Sequence, residues 1–183
     1  MNNVLRKELL KNALYIGIIL LIAAVSTYYI YNKFQTNRDV DFNSKSLDII
    51  YHDSGNEISI NKVTPMTDSV GLSTNAYDLT IKNNLTIGVD YIIKIVDDTD
   101  KINETNANII PKENIRISIK TIDMPNKIYT LSELEDGVLL EKEIEALKKD
   151  DITIRVWVGK DSEISSGTNM KYYGKIQVIE NDK

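Results

Sequence analysis

A run of acidic residues is the group in this sequence that is best suited to binding a metal ion. Asp97, Asp98 and Asp100 are followed by Asn103 and Glu104. Clustered carboxylate oxygens are the ligands that Ca²⁺ prefers, so the three aspartates are candidate calcium ligands. The run lacks the mid-loop glycine of an EF-hand. A solvated, charge-rich turn is therefore the simpler interpretation.

The single histidine, His52, limits the reactions that the chain can carry out. It stands at the end of a predicted strand, and an exposed polar residue is the simpler interpretation. One histidine and no cysteine exclude an H-E-x-x-H zinc site, thiol catalysis and thiolate metal sites. There is also no G-x-S-x-G elbow and no glycine-rich phosphate loop. We therefore predict no enzyme activity, no catalytic residue and no cofactor.

Three aromatic residues are candidates for binding. Trp157 lies two positions after Arg155 on one predicted strand face, and an exposed tryptophan can stack on a sugar or anchor a partner. A buried tryptophan is favoured, either in a sandwich core or covered by the arginine stem on an outer face. Tyr172 and Tyr173 have the same alternatives. The expected partners are other surface proteins, polysaccharide or further copies of the chain.

The elements that must position these residues are short strands. Alternating apolar and polar residues predict strands over 47–51, 57–61, 77–82, 89–96, 115–119, 151–158 and 171–179. Residues 128–131 are expected to continue the 115–119 strand, and residues 132–136 to form one helical turn at most. Loops are predicted over 65–72 and 97–108.

Residues 138–147 fit either an amphipathic helix or an edge strand, and a strand is favoured because the surroundings are β. About seven to nine short strands then predict a mainly β fold. The expected architecture is an antiparallel β-sandwich over 47–183, of immunoglobulin-like or jelly-roll type, preceded by one N-terminal transmembrane helix.

The predicted transmembrane helix is Leu14–Tyr31, within an uncharged run over 12–32. About 20 apolar residues cross a bilayer. Basic residues dominate residues 1–13, which predicts a cytoplasmic N-terminus and an extracellular C-terminal domain. Residues 32–46 are expected to form a linker or an extended arm. The partner of Leu14–Tyr31 is then the lipid bilayer of the cell membrane.

A cleaved signal peptide is the main alternative to an anchor. Ala24 and Ser26 supply small residues at the positions that cleavage before Thr27 requires. A cluster of tyrosines follows that position and is typical of a membrane-interface belt, which favours retention. A buried core helix is a third alternative.

Charge excludes one class of partner. From residue 37 onward the chain has 18 Lys and Arg against 26 Asp and Glu. A nucleic-acid binder would show a basic face, so no nucleic acid is expected. The same acidity argues against an electrostatic contact with anionic lipid.

Four runs of sequence resemble the camelysin/TasA group of exported Gram-positive proteins: SLDIIY, TNAYDLTIKNN, DITIRVWVG and KYYGKIQV. The suggestive positions are 47–49, 77–83 and 154–157. The resemblance implies a jelly-roll-like domain, export after signal cleavage and assembly into biofilm matrix fibres. It assigns no functional residue.

The sequence therefore predicts a single-pass, membrane-anchored bacterial surface protein that displays a non-catalytic β-sandwich interaction module. The alternative is an exported structural subunit of an extracellular matrix fibre, formed after cleavage near Ser26. In that case the freed segment over 27–43 would add as a strand to the next subunit's exposed edge.

Overall fold

A computed structural model describes residues 46–53 and 55–181, together with residues 15, 17 and 25–27 and the backbone of residues 40–41. The chain divides into two compact units, Met1–Asn37 and Arg38–Lys183. In the first unit, residues 15, 17 and 25–27 are helical, and the rest of the predicted span Leu14–Tyr31 lies outside the described residues. No helix among the described residues is long and apolar enough to span a membrane.

The second unit contains two antiparallel sheets. Its strands are β1 (Val40–Asp41), β2 (Leu47–Tyr51), β3 (Glu57–Ile60), β4 (Tyr77–Asn83), β5 (Val89–Asp97), β6 (Asn108–Ile109), β7 (Ile115–Lys120), β8 (Lys127–Thr130), β9 (Val138–Ile144), β10 (Lys149–Val158) and β11 (Met170–Glu180). Sheet 1 has the order β1-β2-β4-β10-β7-β8, and sheet 2 has the order β3-β11-β5-β9. The short β6 pairs with the start of β11 in parallel. This architecture is consistent with the predicted β-sandwich.

Alternation along the strands produces the core. In β10, Ile152, Ile154, Val156 and Val158 are all buried, whereas Thr153 and Arg155 between them are half-buried. In β11, Tyr172, Ile176 and Val178 are buried in the same phase. Inward residues of both sheets form one hydrophobic cluster. The period-two pattern thus correctly predicted which residues of β10 and β11 share the buried face.

Most connections pass from one sheet to the other. The chain changes sheet between β2 and β3, β3 and β4, β4 and β5, β6 and β7, β8 and β9, β9 and β10, and β10 and β11. The exceptions are the β1–β2, β5–β6 and β7–β8 connections. Strands that are adjacent in sequence therefore lie mostly in different sheets.

The segment over 138–147 is a strand, as favoured. β9 covers Val138–Ile144 and forms the edge of sheet 2 beside β5. The chain then turns into β10 through residues 145–148. Leu147 in this turn has a φ of 57°, in the left-handed region that favours glycine or asparagine.

Two of the predicted loops contain short helices. Helix α1 (Asp68–Gly71) lies within 65–72, and helix α2 (Thr99–Glu104) lies within 97–108. Asp98 caps α2, because its side chain accepts a hydrogen bond of 3.4 Å from the backbone N–H of Lys101. An aspartate ahead of a polar segment is a helix-start signal that the loop prediction missed.

The region after β7 also differs from the prediction. Lys127–Thr130 does not extend β7 but returns beside it as β8, with Tyr129 opposite Ile117. The residues 121–126, which include Pro125, form the reversal. Two 3-10 turns follow, Leu131–Glu133 and Glu135–Gly137. Within the segment predicted as a linker or arm, β1 pairs with β2.

Candidate functional site

An open groove of about 590 Å³ lies beside the N-terminal part of β11. It is bounded by β3, by α2 with the loop that follows it, and by β11. Its lining is mostly polar, and the uncharged polar side chains carry amides, hydroxyls and one aromatic ring: Ser59, Asn61, Thr105, Asn106, Asn169 and Tyr173. Such groups form directional hydrogen bonds with a polar ligand.

The floor of the groove is fixed by strand pairing. Tyr173 in β11 stands opposite Ser59 in β3. Tyr77 of sheet 1 reaches across to the same place, where its hydroxyl donates to the carbonyl of Ser59 at 3.1 Å and accepts from the Ser59 N–H at 3.1 Å. Both sheets therefore hold Ser59 in position.

Helix α2 forms the wall and is fixed by its own cap. Asp98 is 1% exposed, and its Oδ1 lies 2.9 Å from Nζ of Lys175 in β11. The backbone N–H of Asp98 donates to the carbonyl of Tyr173 at 3.1 Å. The Lys175 hydrogen bond lowers the pKa of Asp98, and the same bond raises the pKa of Lys175. Both groups stay charged at neutral pH and fasten α2 to the sheet.

The charges around the groove nearly balance. Lys101 in its wall forms an ion pair with Glu57 of β3. Glu104 and Lys171 contribute one further charge of each sign to the lining. Because neither sign dominates, the groove suits a neutral polar ligand better than an ion.

The predicted calcium ligands contact two different lysines. Asp97 forms an ion pair with Lys112 at 2.8 Å, and Asp98 pairs with Lys175. The Asp100 side chain is 85% exposed and lies 4.0 Å from Nζ of the same Lys175. Within the described part of the chain, no group of three or more His, Cys, Asp or Glu residues is placed to hold a metal ion. A calcium ion would have to displace two lysines, so the site stays a prediction without a preformed ligand set.

Trp157 is buried, as favoured, but under a different cover. It is 2% exposed and lies on the outer face of sheet 1. Its indole is covered by Gly71 of α1. Arg155 holds the same segment by donating from Nε to the carbonyl of Thr74 at 3.1 Å. Trp157 is therefore a packing residue and does not present a binding surface.

The two neighbouring tyrosines have different positions. Tyr172 is 1% exposed and belongs to the core, where burial raises the pKa of its hydroxyl. Tyr173 points to the other side of the sheet and lines the groove. Of the aromatic residues singled out in the sequence, only Tyr173 reaches a candidate site.

His52 is exposed at the end of β2, as predicted. Its Nε2 lies 3.0 Å from Oγ1 of Thr80, which donates to Oδ1 of Asp151 at 2.8 Å. Hydrogen bonds from Lys149 and Thr80 lower the pKa of Asp151. These contacts link neighbouring strands of sheet 1 on its outer side.

A polar cluster that was not predicted lies between the sheets. The hydroxyl of Tyr91 in β5 donates to Oδ2 of Asp150 in β10 at 2.8 Å. Lys142 of β9 bridges Asp150, at 3.0 Å, and Asp123, at 2.9 Å. A small cavity of about 210 Å³ adjoins it. The cluster connects both sheets at one end of the sandwich.

Electrostatics in this cluster keep Asp123 and Lys142 charged and Tyr91 neutral. Hydrogen bonds from Thr121 and Lys142 lower the pKa of Asp123 to about 2. Burial alone would lower the pKa of Lys142, but hydrogen bonds to Asp123 and Asp150 raise it. Burial, reinforced by Asp150, raises the pKa of Tyr91. A proton-transfer group would instead have a pKa close to neutral pH.

One signal for the cluster was present in the sequence. Asp150 is in phase with Ile152 and Ile154, the inward residues of β10, so the alternation places a carboxylate on the core face. A buried carboxylate needs a partner. Which partners it finds depends on β5 and β9, whose positions follow from long-range pairing.

Known proteins provide no assignment for either site. None of the protein-family models, curated proteins or solved structures with which the chain was compared matches it. The resemblance to the camelysin/TasA group stays a prediction.

Proposed function

We propose that the chain is a single-pass, N-in membrane protein that displays a non-catalytic β-sandwich as an interaction module at the bacterial surface. The polar, charge-balanced groove beside β11 is the observation that carries this proposal. The segment Leu14–Tyr31 would supply the anchor, because its length and its basic leading flank suit a membrane span.

The groove favours polysaccharide as the partner. Sugars offer many hydroxyl groups and no required charge, which complements amide and hydroxyl side chains around an aromatic ring. The groove is open, so a polymer can pass through it without entering a closed cavity. Its α2 wall is fixed by Asp98 and Lys175, which reduces the ordering cost of binding.

The directions of the pKa shifts support a binding role over catalysis. Every shifted carboxyl group in the described residues has a lowered pKa, and every shifted lysine a raised one. These shifts result from ion pairs and hydrogen bonds that hold structure. A group that acts in acid–base catalysis would instead have its pKa shifted towards neutral pH, upward for a carboxyl group and downward for a lysine.

Binding of purified wall polysaccharide to the full chain in detergent micelles tests the groove. Asn106→Ala combined with Asn169→Ala removes two exposed amides from the lining and should lower affinity by about tenfold, since each lost hydrogen bond contributes roughly 0.5 to 1.5 kcal/mol. Asn126→Ala, an exposed asparagine outside the groove, is the matched control and should bind normally. Equal binding by the native protein, the double variant and Asn126→Ala would exclude the groove as the polysaccharide-binding site.

The matrix-fibre subunit is the second candidate, and one contact favours it. The short strand β1, which precedes the sandwich, pairs with β2 at the edge of sheet 1. An arm that pairs with its own sheet edge could pair in the same way with the edge of another copy. The frequent change of sheet along the chain also favours a jelly roll, because immunoglobulin-like sandwiches keep more sequential strands in one sheet.

The mass and the first residue of the mature protein distinguish these two functions. An intact chain beginning at Met1 in the membrane fraction supports the anchored module and excludes the cleaved subunit. A secreted chain that begins near Thr27 supports the fibre subunit and excludes the anchor.

A further inference from the structure

Exposed aliphatic side chains gather at one end of the sandwich. We name this group the apolar tip, and its members, with their exposed fractions, are Leu85 (37%), Ile87 (64%), Ile122 (84%) and Leu147 (67%). They come from three separate loops, the β4–β5 loop, the β7–β8 reversal and the β9–β10 turn. Single exposed apolar residues are ordinary, but several at one place indicate a contact surface.

Strand register brings these loops together. Lys82 near the end of β4 pairs with Lys149 at the start of β10, and Val89 at the start of β5 pairs with Ile144 at the end of β9. The β4–β5 loop and the β9–β10 turn therefore leave the sandwich side by side. The ion pair between Lys142 and Asp123 brings the β7–β8 reversal to the same end.

A buried asparagine clamps two of the loops. Asn83 is 2% exposed, and its Nδ2 donates to the carbonyls of Ile87 at 2.7 Å, Glu145 at 3.1 Å and Ile144 at 3.2 Å. The backbone N–H of Leu147 also donates to the carbonyl of Leu85 at 3.0 Å. The apolar side chains are thus presented by a fixed support.

The backbone of Leu147 adds a second, independent observation. Its φ of 57° lies where glycine or asparagine would be relaxed and leucine is strained. The side chain is not used to fill the core, since two thirds of it is exposed. Packing within the domain does not explain a strained residue whose side chain is mostly exposed, whereas a contact outside the domain would.

We propose that the apolar tip inserts into the interfacial region of a lipid bilayer, an inference that rests on the proposed membrane-anchored function. A stable protein–protein interface takes about 800 Å² from each partner and roughly 20 to 30 residues a side, far more than four side chains provide. A bilayer needs no complementary shape, and each side chain enters it independently. A tethered chain also needs only a weak contact, because the tether raises the local lipid concentration.

Charge at the tip indicates an apolar contact with lipid. Glu143 and Glu145 lie at this end with Lys148. Lys149 is paired with Asp151, and Asp123, next to Ile122, is paired with Lys142. The end of the sandwich therefore has no excess of basic groups to attract anionic headgroups. Insertion should therefore be no stronger in anionic than in zwitterionic vesicles, and added salt should not weaken it.

The absence of cysteine from the chain allows a clean test. The full chain is reconstituted into phosphatidylcholine vesicles with one environment-sensitive fluorophore on a single introduced cysteine, and quenching by brominated acyl chains is measured. Leu147→Cys and Ile87→Cys report on the tip. Val70→Cys, which is 54% exposed in α1 beside Trp157, is the matched control away from the tip. Gly17→Cys reports on the anchor.

Brominated lipid should lower fluorescence about twofold at positions 147 and 87 and leave position 70 almost unchanged. Adding Leu147→Asn to Ile87→Cys should weaken the quenching at position 87. Equal quenching at 147 and 70, with position 17 quenched, overturns this proposal alone. Loss of quenching at position 17 overturns the anchored function. A fluorescence change at position 147 that depends on the density of protein in the vesicles, and not on bromination, would indicate that the apolar tip contacts a second copy of the chain. That result would also overturn the proposal.

Discussion

Gly71 lies directly against the indole of Trp157. A Cβ on residue 71 would stand 2.3 Å from both Cδ2 and Cε2 of the ring, closer than van der Waals contact allows. This contact explains how a tryptophan on the outer face of a sheet is only 2% exposed. Helix α1 acts as a cover for the ring, and only glycine permits the approach.

Gly71→Ala should therefore destabilise the sandwich. An alanine would force the ring or α1 to move, which costs about 1 to 3 kcal/mol. Alanine has fewer conformations than glycine in the unfolded chain, which by itself would stabilise the variant. The steric contact therefore decides the sign of the change in the free energy of unfolding. Urea unfolding followed by the fluorescence of the single tryptophan measures the change.

A double variant isolates the contact in this experiment. Trp157→Phe provides a smaller ring, so Gly71→Ala should cost less in that background, as measured by circular dichroism. An unchanged cost in both backgrounds would show that the glycine is needed for another reason.

The cover over Trp157 marks a limit of what the sequence could predict. Alternation in β10 correctly placed Trp157 on the face opposite Ile152 and Ile154, because a strand has a fixed side-chain period. Nothing local shows that residues 68–71 fold back over the ring. That packing depends on long-range pairing, here the hydrogen bond from the Met66 N–H to the carbonyl of Val158.

The candidate groove also depends on long-range pairing. Tyr173 was singled out, and its partners Asn61, Asn106 and Asn169 were not, because asparagines in loops look alike in a sequence. The register of β3 against β11 and the position of α2 bring them together. The one missed signal that could have located α2 was Asp98 as a helix cap.

Asn83→Asp should test the clamp below the apolar tip. The aspartate has the shape of asparagine but no N–H donors, so three carbonyls lose their partner and face a buried charge. A loss of about 3 kcal/mol in the free energy of unfolding is expected. The adjacent Asn84 is exposed and donates to Asp48 at 2.7 Å, so Asn84→Asp should cost no more than about 1 kcal/mol. Similar losses for both variants would contradict the clamp.

Asp98→Asn should reduce the acid sensitivity of the fold. The folded-state pKa of Asp98 is lowered, so its contribution is present above the unfolded pKa of about 3.9 and is lost as pH falls towards the folded value. Asparagine keeps the capping role but loses the ion pair with Lys175. The variant should be less stable than the native protein at pH 7, and the difference should shrink between about pH 4 and pH 2.

Chemical denaturation at several pH values measures this difference. Asp100→Asn is the control, because this carboxylate is 85% exposed and lies 4.0 Å from the same Lys175, and it should change the profile much less than Asp98→Asn. A difference between Asp98→Asn and native protein that stays constant down to pH 2 would show that Asp98 does not supply the pH dependence.

Calcium should leave the melting temperature unchanged. Asp97 and Asp98 are held by different lysines, and a ligand that binds the folded state would have to break those ion pairs first. Thermal melts with Ca²⁺ and with chelator measure this directly. A rise in melting temperature with Ca²⁺ that disappears in Asp100→Asn would instead establish the predicted site.

Leu147→Asn should stabilise the domain although it removes an exposed apolar side chain. Asparagine tolerates the left-handed backbone better than leucine, so a gain of up to about 1 kcal/mol in the free energy of unfolding is expected. Ala146 in the same turn has no positive φ, so Ala146→Asn is the matched control and should give no gain. A loss of stability in Leu147→Asn would mean that the leucine packs within the domain. A gain means that the leucine is kept for a contact beyond the fold, and the same variant should then weaken lipid quenching at the tip.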